Sequence, residues 1–124
     1  MRLLLDSNAF LWWRDGSPRL SARAATQIRE PDNDVLVSIA SLWEIAIKRG
    51  LGKLTFLEDF EEVMRDEGFL LLPIGYGHLR ALEDLPPLHR DPFDRLIVAQ
   101  ALAEGVPIAT ADRRFATYGA QIVW

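Results

Sequence analysis

Two kinds of block alternate along the chain: short continuous apolar runs that stop at an acid or a turn, and longer stretches with apolar residues at helical spacing. The run Leu3 to Leu5 ends at Asp6, and Asn8 to Trp13 then reads as a short helix closed by the turn Asp15-Gly16-Ser17-Pro18. Ser21 stands as the N-cap of a helix Ala22 to Arg29. Pro31-Asp32-Asn33-Asp34 breaks that helix before the β-branched run Val35 to Ser38. Ser41 to Arg49 follows as a helix with Gly50 and Gly52 beyond its end. A fourth helix is expected over Leu57 to Glu67, where Leu57, Phe60, Val63 and Met64 recur at helical spacing and Gly68 stops the pattern. Phe69 to Leu72 supplies a third strand. Tyr76 to Leu85 is a helix ended by Pro86-Pro87, and Phe93 to Glu104 is a strongly apolar helix closed by Gly105. Pro107 to Thr110 and Gln121 to Val123 finish as short strands.

Strands alternating with helices imply right-handed crossovers and an α/β fold, three layers with a central parallel sheet covered on both faces. In such sheets ligands collect beyond the carboxyl ends of the strands, where the strand order reverses. With 124 residues, 49% of them hydrophobic and 26% charged, the chain reads as a single domain over 1-124 with one core, not as a disordered or collagen-like polymer. No internal repeat or low-complexity segment interrupts it.

Cysteine is absent, which excludes a disulfide scaffold, a thiolate metal site and a thiol nucleophile. The apolar run before Asp6 is too short for a signal-peptide core, and no stretch is long enough to span a bilayer, so a cytoplasmic location with no membrane contact is expected. The formal net charge of −4 argues against an ordinary phosphate-binding surface. Divalent cations shared by carboxylates answer that objection, because they cancel the acidic excess locally.

Four acids have the positions for such a site. Asp6 ends the first strand, Asp112 lies just past the fourth, and Glu44 and Asp94 fall in the first turns of helices. Gathered carboxylates raise one another's pKa, and a group of four is tolerable mainly when hard cations sit between them. Magnesium or manganese suits oxygen-only ligands, and two such ions can activate a water, neutralise a phosphodiester and steady the leaving oxygen. Three of the acids also have a purely structural reading. Ser41-x-x-Glu44 has the form of a capping box, Asp91-Pro92-Phe93-Asp94 that of a helix start, and Asp112 that of a cap on the turn Arg113 to Thr117. Asp6, charged at the end of an apolar strand, has less structural excuse.

At these residues the sequence resembles the PIN-domain ribonucleases, and within them the VapC-type toxins of toxin–antitoxin pairs. The resemblance spans essentially the whole chain. It rests on LLLDSNAFLW from Leu3, SIASLWEIAIKRGLGKL from Ser38, HRDPFDRLIVAQA from His89 and TADRRF from Thr110. It implies a sheet of strand order 3-2-1-4-5 and a Mg2+ or Mn2+ site formed by Asp6, Glu44, Asp94 and Asp112. It also implies a metal-dependent endoribonuclease that leaves a 5′-phosphate and a 3′-hydroxyl, a VapB-type antitoxin partner whose tail wraps the helices, and a homodimer. One departure is local: close relatives carry Thr-His after the first aspartate, and this chain has Ser7-Asn8. Ser7 keeps a hydroxyl that can orient a carboxylate, but Asn8 cannot take a proton.

Other residues fill in the picture. The Thr110 hydroxyl is placed to hold a bound water, or is simply a strand residue. Arg49, Lys53, Arg95, Arg113 and Arg114 lie near the acidic motifs and are either phosphate contacts or a solvated charged face. His78 and His89 lack a partner at zinc spacing and are expected in surface or loop roles. Adjacent Trp12 and Trp13 cannot both face the core, so one of them is expected to be exposed; with Trp43 they are candidates for an antitoxin groove. Two readings compete with the nuclease. One is a catalytically silent PIN fold that binds RNA or a partner. The other is a phosphoacceptor receiver domain, which lacks here the acidic pair after the first strand, the aspartate at the third and the late lysine.

Overall fold

The computed structural model describes residues 1 to 124. In chain order the elements are β1 (Arg2–Leu5), α1 (Ser7–Asp15), α2 (Ala22–Arg29), β2 (Asp34–Ser38), α3 (Ile39–Gly50), α4 (Phe60–Glu67), β3 (Leu70–Leu72), α5 (Tyr76–Asp84), α6 (Pro92–Glu104), β4 (Ile108–Ala109), a 3-10 helix (Arg113–Tyr118) and β5 (Ile122–Val123). The five strands form one sheet in the order β3-β2-β1-β4-β5, and every pairing is parallel. This is the strand order that the resemblance implied.

The continuous leucine run of β1 has a simple cause. Successive strand residues point to opposite faces, and here helices cover both faces, so every position must be apolar. Leu3 and Leu5 pack with Phe10 of α1, Ile28 of α2, Ile45 of α3 and Val63 of α4. Leu4 packs on the other face with Ile97 and Val98 of α6, Ile108 and Phe115. All three leucines are completely buried. No helix is long and apolar enough to cross a membrane.

Two helix starts differ from the sequence expectation by two residues or more. The third helix begins at Ile39, not Ser41, because Ser38 ends β2 and at once caps α3, its Oγ accepting from the Ala40 N–H at 3.0 Å. No turn residues separate strand from helix, so Glu44 stands one turn deeper than a first-turn residue. Ser41 is fully buried and its hydroxyl makes no hydrogen bond, which removes the capping-box reading of Ser41 and Glu44. The fourth helix begins at Phe60, capped by Asp59, and Leu57 lies outside it, 81% exposed.

A buried latch joins three elements behind the strand ends. Gln100 of α6 is fully buried; its Oε1 accepts from the Ser38 hydroxyl and its Nε2 donates to the Pro73 carbonyl at 3.2 Å. One amide side chain thereby ties α6 to the β2–α3 junction and to the segment after β3.

Candidate active site

The site begins where β1 stops. The Asp6 backbone still belongs to the sheet, its N–H donating to Ala109 O at 3.1 Å. Its side chain already caps α1, Oδ1 accepting from the Ala9 N–H at 2.7 Å. The other oxygen, Oδ2, accepts from the Thr110 hydroxyl at 2.6 Å, and the Thr110 Oγ1 in turn accepts from the Asp112 N–H at 3.0 Å. Thr110 therefore orients Asp6 and the turn that bears Asp112. Ser7, the next residue, donates its hydroxyl to Glu44 Oε1 at 2.6 Å, while Lys48, one turn along α3, holds Glu44 Oε2 at 3.0 Å.

Asp94 and Asp112 enter from the other side. Asp91 is the cap of α6, its Oδ1 accepting from the N–H groups of Phe93 and Asp94, with Pro92 at the first helical position where a missing N–H costs nothing. Asp94 is left free to project from the first turn. Asp112 caps the 3-10 helix through the Arg114 N–H at 3.0 Å and is also gripped by the Arg114 guanidinium, Nη2 to Oδ2 at 2.7 Å. The four acids share one cleft of about 220 Å³ with Ser7, Asn8, Lys48, Asp91 and Arg114, and no hydrophobic residue lines it.

The electrostatics follow from this crowding. Burial pushes the Asp6 carboxyl up to about 6; the Thr110 and Ala9 hydrogen bonds pull against that, and the charges of Asp112 and Glu44 add to it. Asp94 is pushed up to about 7 by burial first, then by repulsion from Asp91, Glu44, Asp6 and Asp112. Asp112 moves the opposite way, below the usual carboxylate range, because Arg114 bonds to it. A buried acid and a half-buried one facing two more, with oxygen as the only metal donor lining the cleft, form a donor set that fits a hard divalent cation such as magnesium or manganese.

The sequence reading missed two residues here and misplaced others. His89 is buried, not on the surface, with Nε2 at 3.1 Å from Asp94 Oδ2 and 3.4 Å from Asp112 Oδ2; one atom from each of these three residues falls within 4.8 Å of the others. No spacing rule marks it, because packing of the 85–91 loop brings it in. Lys48 had a signal, four residues after Glu44 on one helix face. His78 is buried too, paired with Glu104 at 3.1 Å far from the cleft. Of the cations proposed for phosphate, Arg114 alone lines the cleft. Arg49 donates to the carbonyls of Phe56 and Glu58 and lies over the Phe60 ring, and Arg95 donates to Pro86 O and the Tyr118 hydroxyl, so both hold loops. Arg113 and Lys53 are exposed.

The tryptophans separate into two places. Trp12 and Trp13 are both half-buried, so neither is the exposed ring expected of the pair: Trp12 rests against Trp124, and Trp13 Nε1 donates to Glu67 Oε2 at 2.6 Å. Adjacent rings manage this because α1 is flanked by α4 on one side and the chain's last residues on the other. Trp43 is 56% exposed, stands edge-on to Phe93, and lines an apolar groove with Ile39, Leu42, Phe60 and Leu71.

Known proteins share this arrangement of elements. The family model described as PIN domain matches residues 3–121. Ribonuclease VapC22 of Mycobacterium tuberculosis (strain ATCC 25618 / H37Rv) is 32% identical over 123 residues, covering 94% of this chain and 91% of its own length. Among solved structures, VapBC2 from Rickettsia felis bound to a DNA fragment from the promoter superposes with a TM-score of 0.69 at 14% identity, covering 98% of this chain and 97% of that one. FitAcB from Neisseria gonorrhoeae gives 0.64 at 17% identity, with 98% and 96% covered. At those identities the two structures speak for the fold.

Proposed function

The chain belongs to the PIN domain family, and from that premise we propose that it is a metal-dependent endoribonuclease, the VapC-type toxin of a toxin–antitoxin pair acting on cytoplasmic RNA. The observation that carries this reading is the wholly polar cleft at the strand ends that gathers Asp6, Glu44, Asp94 and Asp112. The 32% identity with a protein named as a ribonuclease supports the reaction class.

Asp6, Asp94, Glu44 and Asp112 would hold Mg2+ or Mn2+, in a two-ion arrangement. The ions would supply positive charge against the phosphodiester and polarise an attacking water. The protein's own work is to position and to balance charge. Thr110 fixes Asp6, Ser7 fixes Glu44, and Lys48 and Arg114 at the cleft offer cationic contacts to the RNA backbone. The net reaction adds water across one P–O bond, leaving a 5′-phosphate and a 3′-hydroxyl, and no side chain becomes covalently bonded to RNA. A VapB-type antitoxin has a suitable seat in the groove beside Trp43, and a homodimer completes the proposed assembly.

Incubation of the purified protein with total RNA and Mg2+ or Mn2+, with the ends mapped, tests the activity. Asp6→Asn and Asp94→Asn are expected to abolish cleavage while leaving the circular dichroism spectrum unchanged, and EDTA to abolish it in the wild type. Full activity in either variant sinks the assignment of the acids. An inert wild type leaves a binding module in place of the nuclease.

A further inference from the structure

His89 is the buried imidazole closest to the acidic cleft, and its geometry looks at first like that of a metal ligand. The hydrogen bond on its far nitrogen says otherwise. Nδ1 accepts from the Asp91 backbone N–H at 3.1 Å. A backbone N–H can only donate, so Nδ1 carries no proton, and in the neutral ring the proton must sit on Nε2. A protonated nitrogen has no lone pair to give a cation. The geometry points to His89 as a positioning residue: its Nε2–H faces Asp94 Oδ2 and Asp112 Oδ2 from behind and sets the distance between those two acids, while coordination is left to the carboxylates.

Three further observations agree. The ring is in the wall and not among the residues that line the cleft. Nε2 is buried and makes no full hydrogen bond, and the Oδ2 atoms of Asp94 and Asp112, 3.1 Å and 3.4 Å away, are acceptors within its reach. Asp91, which fixes the ring through its N–H, is the residue whose side chain starts the helix carrying Asp94, and Phe115 packs edge-on to the imidazole, with ring centres 6.3 Å apart. Ring and carboxylate are therefore held by one cap. Outer partners of this kind orient metal ligands and tune their affinity.

The role in cation binding rests on the metal site proposed above, whereas the tautomer does not, so the two can fail separately. Imidazole 15N–1H correlation spectra of the full chain are expected to show the His89 proton on Nε2, both without metal and with Mg2+ added. A proton on Nδ1, or loss of the Nε2 proton on adding Mg2+, overturns the inference. His89→Asn retains an acceptor for the Asp91 N–H but reaches no further, and His89→Gln restores a donor near the Nε2 position. Mn2+ affinity by calorimetry is expected to fall about 10- to 100-fold in His89→Asn and to stay within about threefold of wild type in His89→Gln. Wild-type affinity in His89→Asn with a loss in His89→Gln would make the residue a loop anchor only and overturn the proposal. Should His89→Asn fail to fold, the spectra decide. If the wild type binds no Mn2+, the metal reading falls, while the position of the proton still decides the tautomer.

Discussion

The Asp6 carboxylate survives in an apolar strand end because both of its oxygens are satisfied, one by the Ala9 N–H and one by the Thr110 hydroxyl. Thr110→Val keeps the shape and deletes the second donor, leaving a buried charged oxygen unpaired. The expected cost is about 1–3 kcal/mol in urea unfolding, with Thr110→Ser close to wild type. Asp94 behaves differently, since no cap relieves it. An unfolded aspartate titrates near 3.8 and Asp94 at about 7, so the folded protein holds this proton the more tightly, and its contribution to stability is lost as pH rises between those values. In EDTA, Asp94→Asn is therefore expected to melt above the wild type, by a margin that grows from about pH 5 to pH 7.5. A margin independent of pH would show that Asp94 is ionised throughout. At this scale sequence legibility was uneven. Asp6 was visible because a charge at the end of an apolar run has few structural reasons to be there, whereas His89 was invisible: the acids it touches lie 5 and 23 positions further along the sequence and meet it only by packing.

At the scale of elements, the Gln100 latch decides how α3 and α6 sit, and those two helices bring Glu44 and Asp94 to the cleft. Gln100→Leu fills nearly the same volume but leaves the buried Ser38 hydroxyl proton without an acceptor and the Pro73 carbonyl without its amide donor. We expect a loss of about 1–3 kcal/mol in denaturant unfolding, from one buried donor left without an acceptor; a change under about 0.5 kcal/mol would show that water replaces the amide. Element identity was readable from periodicity because both faces of the sheet are covered, which turns strands into short apolar runs and helices into longer amphipathic ones. Boundaries were readable only where a turn intervenes. Ser38 is both strand end and cap, so no composition change marks the start of α3. Leu57 fits the helical spacing of α4 but precedes the Asp59 cap, and a periodic pattern has no means of seeing a cap that cuts into it.

The whole molecule carries a net charge of −4, concentrated in part where four carboxylates converge. A cation that binds only the folded chain stabilises it by about 2.7 kcal/mol when present at 100 times its dissociation constant. Magnesium is accordingly expected to raise the melting temperature of the wild type by several degrees and to leave Asp6→Asn and Asp94→Asn nearly unmoved, as scanning calorimetry would show. An equal rise in all three would mean the ion acts elsewhere. The strand order was legible only through the family resemblance, since periodicity gives elements and handedness but does not choose which strand lies beside which.

The hydrogen bond from Thr110 to Asp6 closes across 104 positions of the sequence. Asp6 is therefore synthesised 104 residues ahead of Thr110, and Asp112 follows two residues later still. A polypeptide cut short before Thr110 lacks both the orienting hydroxyl and the Asp112 acid, so an interrupted translation product holds an incomplete set of the proposed ligands. Under the proposed ribonuclease function the connectivity then acts as a safeguard in time, since a chain interrupted before Asp112 lacks one of the four acids that would hold the cation.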